Sequence, residues 1–325
     1  MIQTIRKLQI VACLAGFILA GCGLLPRTPE KPKQERNPVL VERVALYKSL
    51  QKDRLDILGW VQPKCDSLLF TSLCKVAGGC SKANILMARD EAGAWHRDWH
   101  RDCWQTGGSA STISKDMLMG LAYYAAFSAG KQEGCQIAQG VLDYAISHNL
   151  VMGQPASEVG RVIITPSLIG VFSDIEELQC PTSLKRLAAP QTDVEDILDA
   201  LLVRQGFAAH LQVLRITLTA KLKGGVSALD LEVLRRLAQR ESENALFQAA
   251  YHKFHDGIQY TAEQLLLNER RFPQFHLPDL SNYCTHYLWQ RDMASNSGVN
   301  PDWLPCSDGK WDGVDFLFAA WMAGY

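Results

Sequence analysis

Residues 90–130 read DEAGAWHRDWHRDCWQTGGSASTISKDMLMGLAYYAAFSAG, and the second half of this stretch decides the fold. Ser114 is a helix N-cap residue type, Asp116 falls in the first turn where a helix dipole favours a carboxylate, and apolar residues follow at Leu118, Leu121, Tyr124 and Phe127 before Gly130. That spacing predicts a helix. The first half is different in kind. It opens on the acidic pair Asp90-Glu91, repeats the tetrapeptide Trp-His-Arg-Asp at 95–98 and 99–102, closes on Cys103-Trp104 and enters a small-residue loop from Gly107 to Ser111. A loop dense in aromatic and ionisable side chains, mounted on a helix, is where binding or chemistry concentrates.

The same periodicity recurs on both sides of this stretch. Helices are expected over Val39–Leu58, over a short apolar run after Asp66 as N-cap that stops at Gly78-Gly79, and over about Gln132–His148. Residues 151–165 hold Gly153, Pro155 and Gly160 before Val162-Ile163-Ile164, which reads as a loop with one or two short strands. Pro166 suits the first position of a helix capped by Thr165 and running to about Leu178. Further helices are expected over 192–204, 208–223, 228–240 (opened by Ser227), 241–255 and 261–271, around Tyr287-Leu288-Trp289, and over Val314–Met322. The fold class is therefore mostly α, built of antiparallel helical hairpins with a few short strands in loops. No period of a helical solenoid repeat recurs.

The N-terminus carries Arg6-Lys7, a short apolar run Leu8–Ala20, and then Leu19-Ala20-Gly21-Cys22. The run is too short for a permanent membrane span. Its end resembles the lipobox of bacterial lipoproteins. The resemblance implies cleavage before Cys22, lipidation of Cys22, and membrane attachment through several acyl chains. Gly23 in place of an Asp after that cysteine implies the outer membrane of the cell envelope. Residues 22–38 are rich in Pro and charge and read as a tether, which leaves 39–325 as a single α-helical domain. Net charge is −1, and with no basic tract beyond the tether nucleic acid is not an expected partner.

Of ten cysteines, Cys13 lies in the signal and Cys22 takes lipid. Cys65, Cys74, Cys80, Cys103, Cys135, Cys180, Cys284 and Cys306 remain, and an even set in an exported chain reads as disulfides. Pairing of Cys284 with Cys306, and of Cys135 with Cys180, is plausible by position, but spacing does not fix connectivity. Cys74 and Cys80 could alternatively form half of a zinc site.

Ser114-Lys-Asp116-Met-Leu-Met-Gly120-Leu-Ala-Tyr-Tyr and Trp311-Asp-Gly-Val-Asp315-Phe-Leu-Phe resemble inner-helix starts of α/α-toroid, six-hairpin glycosidase-like proteins. That resemblance implies a complete or partial toroid and a glycan ligand, with glycoside hydrolase or lyase activity. The chemistry would need two carboxylates, one acid and one base or nucleophile. Asp116 is the first choice, with Asp90 or Asp98 as its partner; Asp66 and Asp315 are weaker, each beginning an apolar helix. Trp95, Trp99 and Trp104 would stack on sugar rings while His96, Arg97 and His100 orient them. On a helix, His96 and His100 would share a face, but position 97 is Arg rather than the Glu of an HExxH zinc motif, so no metal or other cofactor is expected. Against this stands a structural reading. Asp116 compensates its own helix end, the Trp-His-Arg-Asp repeats form an ion-pair and aromatic cluster, and the chain is a non-catalytic envelope scaffold or accessory protein with a protein partner.

Overall fold

A computed structural model of the chain describes residues 35–53, 55–61, 66–101, 112–153, 162–181, 202–204, 207–268, 272 and 313–325. The expectations for Cys22, Cys65, Cys103, Cys284, Cys306, Trp104, the Gly107–Ser111 loop, the start of the 192–204 helix and the helix around Tyr287 lie outside them. Among the described residues the protein is mostly α: α1 (Pro38–Lys52), α2 (Ser67–Val76), α3 (Lys115–Phe127), α4 (Lys131–Ser147), α5 (Pro166–Gln179), α6 (Phe207–Lys223), α7 (Ala228–Arg240), α8 (Ala245–His255), α9 (Tyr260–Leu266) and α10 (Val314–Met322). A 3₁₀ turn spans Ile85–Ala88, and β1 (Val151–Gly153) pairs antiparallel with β2 (Val162–Ile163). No described helix is long and apolar enough to cross a membrane.

Sequential helices pack as pairs, α2 on α3, α3 on α4, α4 on α5, α7 on α8 and α8 on α9. Short connections such as 128–130 between α3 and α4 force antiparallel neighbours. Two helices sit at the centre. From Asp116 to Ala125, α3 is buried on every side, covered by α2, α4, α5 and α6. The helix α10 is buried at every position from Val314 to Ala320, between α1, α2, α8 and α9. A helix apolar all round is a core helix. Just after it, the Tyr325 hydroxyl donates to Glu263 Oε1 at 2.5 Å and accepts from the Asn37 N–H at 2.9 Å, tying α10 to α9 and to the start of α1. Burial and the Glu263 carboxylate push the Tyr325 phenol up to about 12, so it stays a donor at neutral pH.

Side-chain caps open α1, α5, α7 and α8. Thr165 Oγ1 accepts from Leu168 N and Pro166 opens α5, as expected. Ser227 caps α7 through the Asp230 N–H. Four expected bounds need correction. The helix expected to reach Arg204 is not helical over its described residues 202–204. The first helix stops at Lys52 rather than Leu58, because Asp56 Oδ1 takes the N–H groups of Leu58 (2.9 Å) and Trp60 (2.8 Å) and Gly59 turns left-handed at φ +82°; a side chain that bonds nearby N–H groups competes with the helix. The helix expected over 241–255 starts at Ala245, where Asn244 caps Phe247 N at 3.1 Å. The helix expected to end near Arg271 ends at Leu266, whose carbonyl, with that of Phe272, accepts from buried Arg43 at 3.4 and 3.2 Å.

Two disulfides lie among the described residues. Cys135–Cys180 joins α4 to the C-cap of α5, and Cys74–Cys80 closes the end of α2, so these two thiols are not a zinc half-site.

Candidate functional site

Over its described residues 95–101, the Trp-His-Arg-Asp segment is an irregular strap rather than a helix, so His96 and His100 do not share a helical face. The strap begins as a tight loop. Arg89 and Trp95 form an isolated antiparallel bridge, Asp90 N donates to Ala94 O, and Gly93 N donates to Asp90 O. It is stitched to the core at two further backbone points, His96 N to Ala88 O at 2.8 Å and Leu68 N to Arg97 O at 2.7 Å. The second of these satisfies one N–H at the start of α2.

The two copies of the repeat do different work because they meet different neighbours. In the first, Trp95 is fully buried and presents no face to a ligand. His96 Nε2 lies 2.8 Å from Asp90 Oδ2. Its Nδ1 is buried with no described partner, so the proton of a neutral His96 belongs on Nε2, where it is donated to the carboxylate. Arg97 Nη1 lies 3.5 Å from Asp66 Oδ1, and Asp98 Oδ1 accepts from Arg101 N at 2.7 Å. In the second copy, half-buried Trp99 donates its indole N–H to Asp56 Oδ2 at 2.7 Å and stacks on exposed His100 with centroids 3.6 Å apart. Arg101, left-handed at φ +64°, donates to the carbonyls of Met87 and Arg89 at 3.2 and 2.9 Å.

The three proposed catalytic carboxylates each have a partner within the fold. Asp90 Oδ1 accepts from Ala94 N at 2.8 Å, closing the loop that its Oδ2 then pins to His96. Burial pushes the Asp90 carboxyl up, but the bonds from His96 and Ala94 and the charges of His96 and Arg101 outweigh it and hold the group below its ordinary value. Asp98 is the acceptor of a local turn. Asp116 is buried in the first turn of α3 and accepts from the Ser114 hydroxyl. Ser114 occupies the N-cap position, yet its side chain makes no cap bond to the helix. Asp66 likewise stands at the N-cap of α2 without a side-chain cap bond, its carboxylate turned to Arg97. Described residues enclose a cavity between α6, α8 and α10 and a smaller one beside Asp56 and Gly78, and neither is lined by Asp90, Asp98 or Asp116. No group of three His, Cys, Asp or Glu among the described residues is arranged to hold a metal ion.

Sequence spacing does not reveal Asp56, although it anchors Trp99. The local signal is the Asp-Ile-Leu-Gly turn, but the partner is 43 residues away, and no spacing rule reaches that far.

The depressed Asp90 carboxyl has a pH consequence. A group whose folded value lies below its unfolded one stabilises the fold above the unfolded value, and the contribution is lost as pH falls through the folded value. Asp90→Asn is expected to lower stability at pH 7 by about 1 kcal/mol, a figure kept small because the pair is partly solvated. The gap from wild type should narrow as pH falls below the ordinary carboxylate range and close once the depressed folded value has been passed. Thermal unfolding at a series of pH values checks this; a gap that persists undiminished in acid would assign the loss to something other than the charged pair.

No family model matches this chain, and neither any curated protein nor any solved structure matches it.

Proposed function

We propose that the chain is a lipid-anchored bacterial envelope protein, attached to the outer membrane through Cys22, whose helical domain serves as a scaffold or accessory factor and does not process glycan. The observation that carries this reading is how the described polar residues of 90–101 and 112–116 are used. His96 with Asp90, Arg97 with Asp66, Trp99 with Asp56, Asp98 with the Arg101 N–H and Asp116 with the Ser114 hydroxyl each hold backbone or side chain of the protein itself. A glycosidase needs two carboxyl groups facing a cleft. Here Trp95, the first of the aromatic residues proposed to stack on sugar, is core, and Asp116 is buried beside its helix start. The strap, with His100 and Arg101 exposed beside Trp99, then serves as a braced contact surface for a protein partner.

The test pairs activity with stability. Wild type and Asp116→Asn are incubated with peptidoglycan and with soluble oligosaccharides, release of reducing ends is followed, and both are unfolded in urea. Neither is expected to release reducing ends, while the variant loses about 1 kcal/mol of stability with its N-terminal charge and hydrogen bond. Turnover by wild type that disappears in Asp116→Asn at unchanged stability would return the residue to catalysis. Anchoring has its own readout: Cys22→Ser should move the chain from the membrane fraction to the soluble fraction.

A further inference from the structure

The larger of these cavities, about 520 Å³, lies away from the strap, where the C-terminal ends of α3, α6, α8 and α10 converge. Its apolar wall is Phe127, Leu231, Phe254 and Trp321, with Phe127 and Trp321 meeting edge to face at 4.9 Å. Two lysines flank this aromatic pair. Lys221 Nζ stands 5.5 Å from the centre of the Phe127 ring and Lys253 Nζ stands 5.0 Å from that of Trp321. Neither pairs with a carboxylate among the described residues; the polar contact of Lys253 is Met322 Sδ at 3.9 Å. Both are open to solvent, yet enough protein surrounds Lys253 that desolvation, and then the charge of Lys221, press its ammonium below its ordinary value.

Two explanations internal to the fold fall short. Cations at helix C-termini are favoured by the backbone dipole, but the polar contact of Lys253 is the Met322 sulfur and not a helix-end carbonyl, and at the end of α10 Ala319 O, Ala320 O and Trp321 O are already taken by the N–H groups of Ala323, Tyr325 and Gly324. Cation–π contact with the rings offsets part of each charge but leaves like charges facing one hollow. A bound anion would supply the missing counter-charge, and the aromatic wall would take an apolar body. The volume is that of a small-molecule site.

We infer that this cavity is a binding site for a small amphiphilic anion, its acidic head held between Lys221 and Lys253 and its apolar body laid against Phe127 and Trp321. The site is independent of the strap and of the scaffold reading above.

The test is fluorescence titration of the purified chain with anilinonaphthalene sulfonate, which carries the acidic head, and with phenylnaphthylamine, which has the same aromatic body without it. The sulfonate is expected to bind saturably at one site, and Lys221→Gln with Lys253→Gln to weaken it by about tenfold or more, as loss of charge-assisted bonds requires. The neutral probe should bind more weakly and be insensitive to that change. Lys221→Arg with Lys253→Arg should keep the affinity for the sulfonate, which separates loss of charge from loss of fold. Equal binding of the two probes, affinity unchanged in the double Gln variant, or absence of saturable binding would each overturn the assignment.

Discussion

Replacing both Cys135 and Cys180 with Ala is expected to cost about 4 kcal/mol of stability, from the chain-entropy estimate for a loop of this size. The cross-link joins residues 45 apart and so removes a large set of open conformations from the unfolded chain. Its two ends lie on α4 and at the end of α5, which already pack on each other and bury Ile137, Val141, Leu168, Phe172 and Ile175. Because those contacts remain, the variant should fold to the same helical content and lose its stability through the unfolded state. Both cysteines are half-buried, so the cavity left by two small side chains adds little. Urea unfolding followed by circular dichroism gives the check: the midpoint should fall strongly while the native signal stays. A loss below about 1 kcal/mol would show that the cross-link does not restrain the unfolded chain in the way the estimate assumes. A loss of native helix signal would mean that the disulfide is needed to form the hairpin at all.

That pairing illustrates what is legible in the sequence. The two cysteines belong to elements whose boundaries follow from local signals, Thr165-Pro166 at one end of α5 and Gly130 just before α4, so their proximity can be suggested but not chosen over other pairings. The helix α10 is legible to the residue because an apolar run following Asp312-Gly313 carries both its start and its burial in local chemistry. Where side chains reach across the chain, spacing gives no purchase. The length of α1 turns on the use of Asp56 as an acceptor for Leu58, Trp60 and the distant Trp99 indole. The tandem repeat misleads for a related reason: identical tetrapeptides suggest equivalent roles, but the first copy meets the core and the second the rim, and burial, which the pattern does not encode, assigns Trp95 and Trp99 different work. Lys221 and Lys253 come from separate helices and share a hollow only through packing, so no motif announces them.

Gly120→Val is expected to abolish stable folding, and Gly120→Ala to destabilise the protein by about 1–3 kcal/mol, the usual cost of overpacking a core. Helix propensity alone predicts the opposite sign for alanine, since Gly inside a helix costs about 1 kcal/mol relative to Ala. Packing decides the contest. A Cβ at position 120 would stand 2.9 Å from both Leu69 Cα and Leu69 Cδ1, and 3.3 Å from Leu69 O. The Cδ1 could swing away, but the Cα and carbonyl belong to the backbone of α2, so the two helices would have to separate. They cannot do so cheaply, because α3 is enclosed by α4, α5 and α6 on its other sides and α2 is backed by α10. Gly170 in α5 is the internal control: nothing lies within 4 Å of a Cβ there, so Gly170→Ala should gain about 0.5–1 kcal/mol from propensity and the stiffer unfolded chain. Opposite signs for the same substitution on two helices, measured by urea unfolding, would establish that close α2–α3 contact is the reason for glycine at 120. If both variants were stabilised, the helices would have room that this packing denies them. In the Gly120 variants the strap is expected to lose its fixed base too, since Arg97 is bonded to the first turn of α2 through Leu68 N and Asp66, and any separation of α2 from α3 moves that anchor with it.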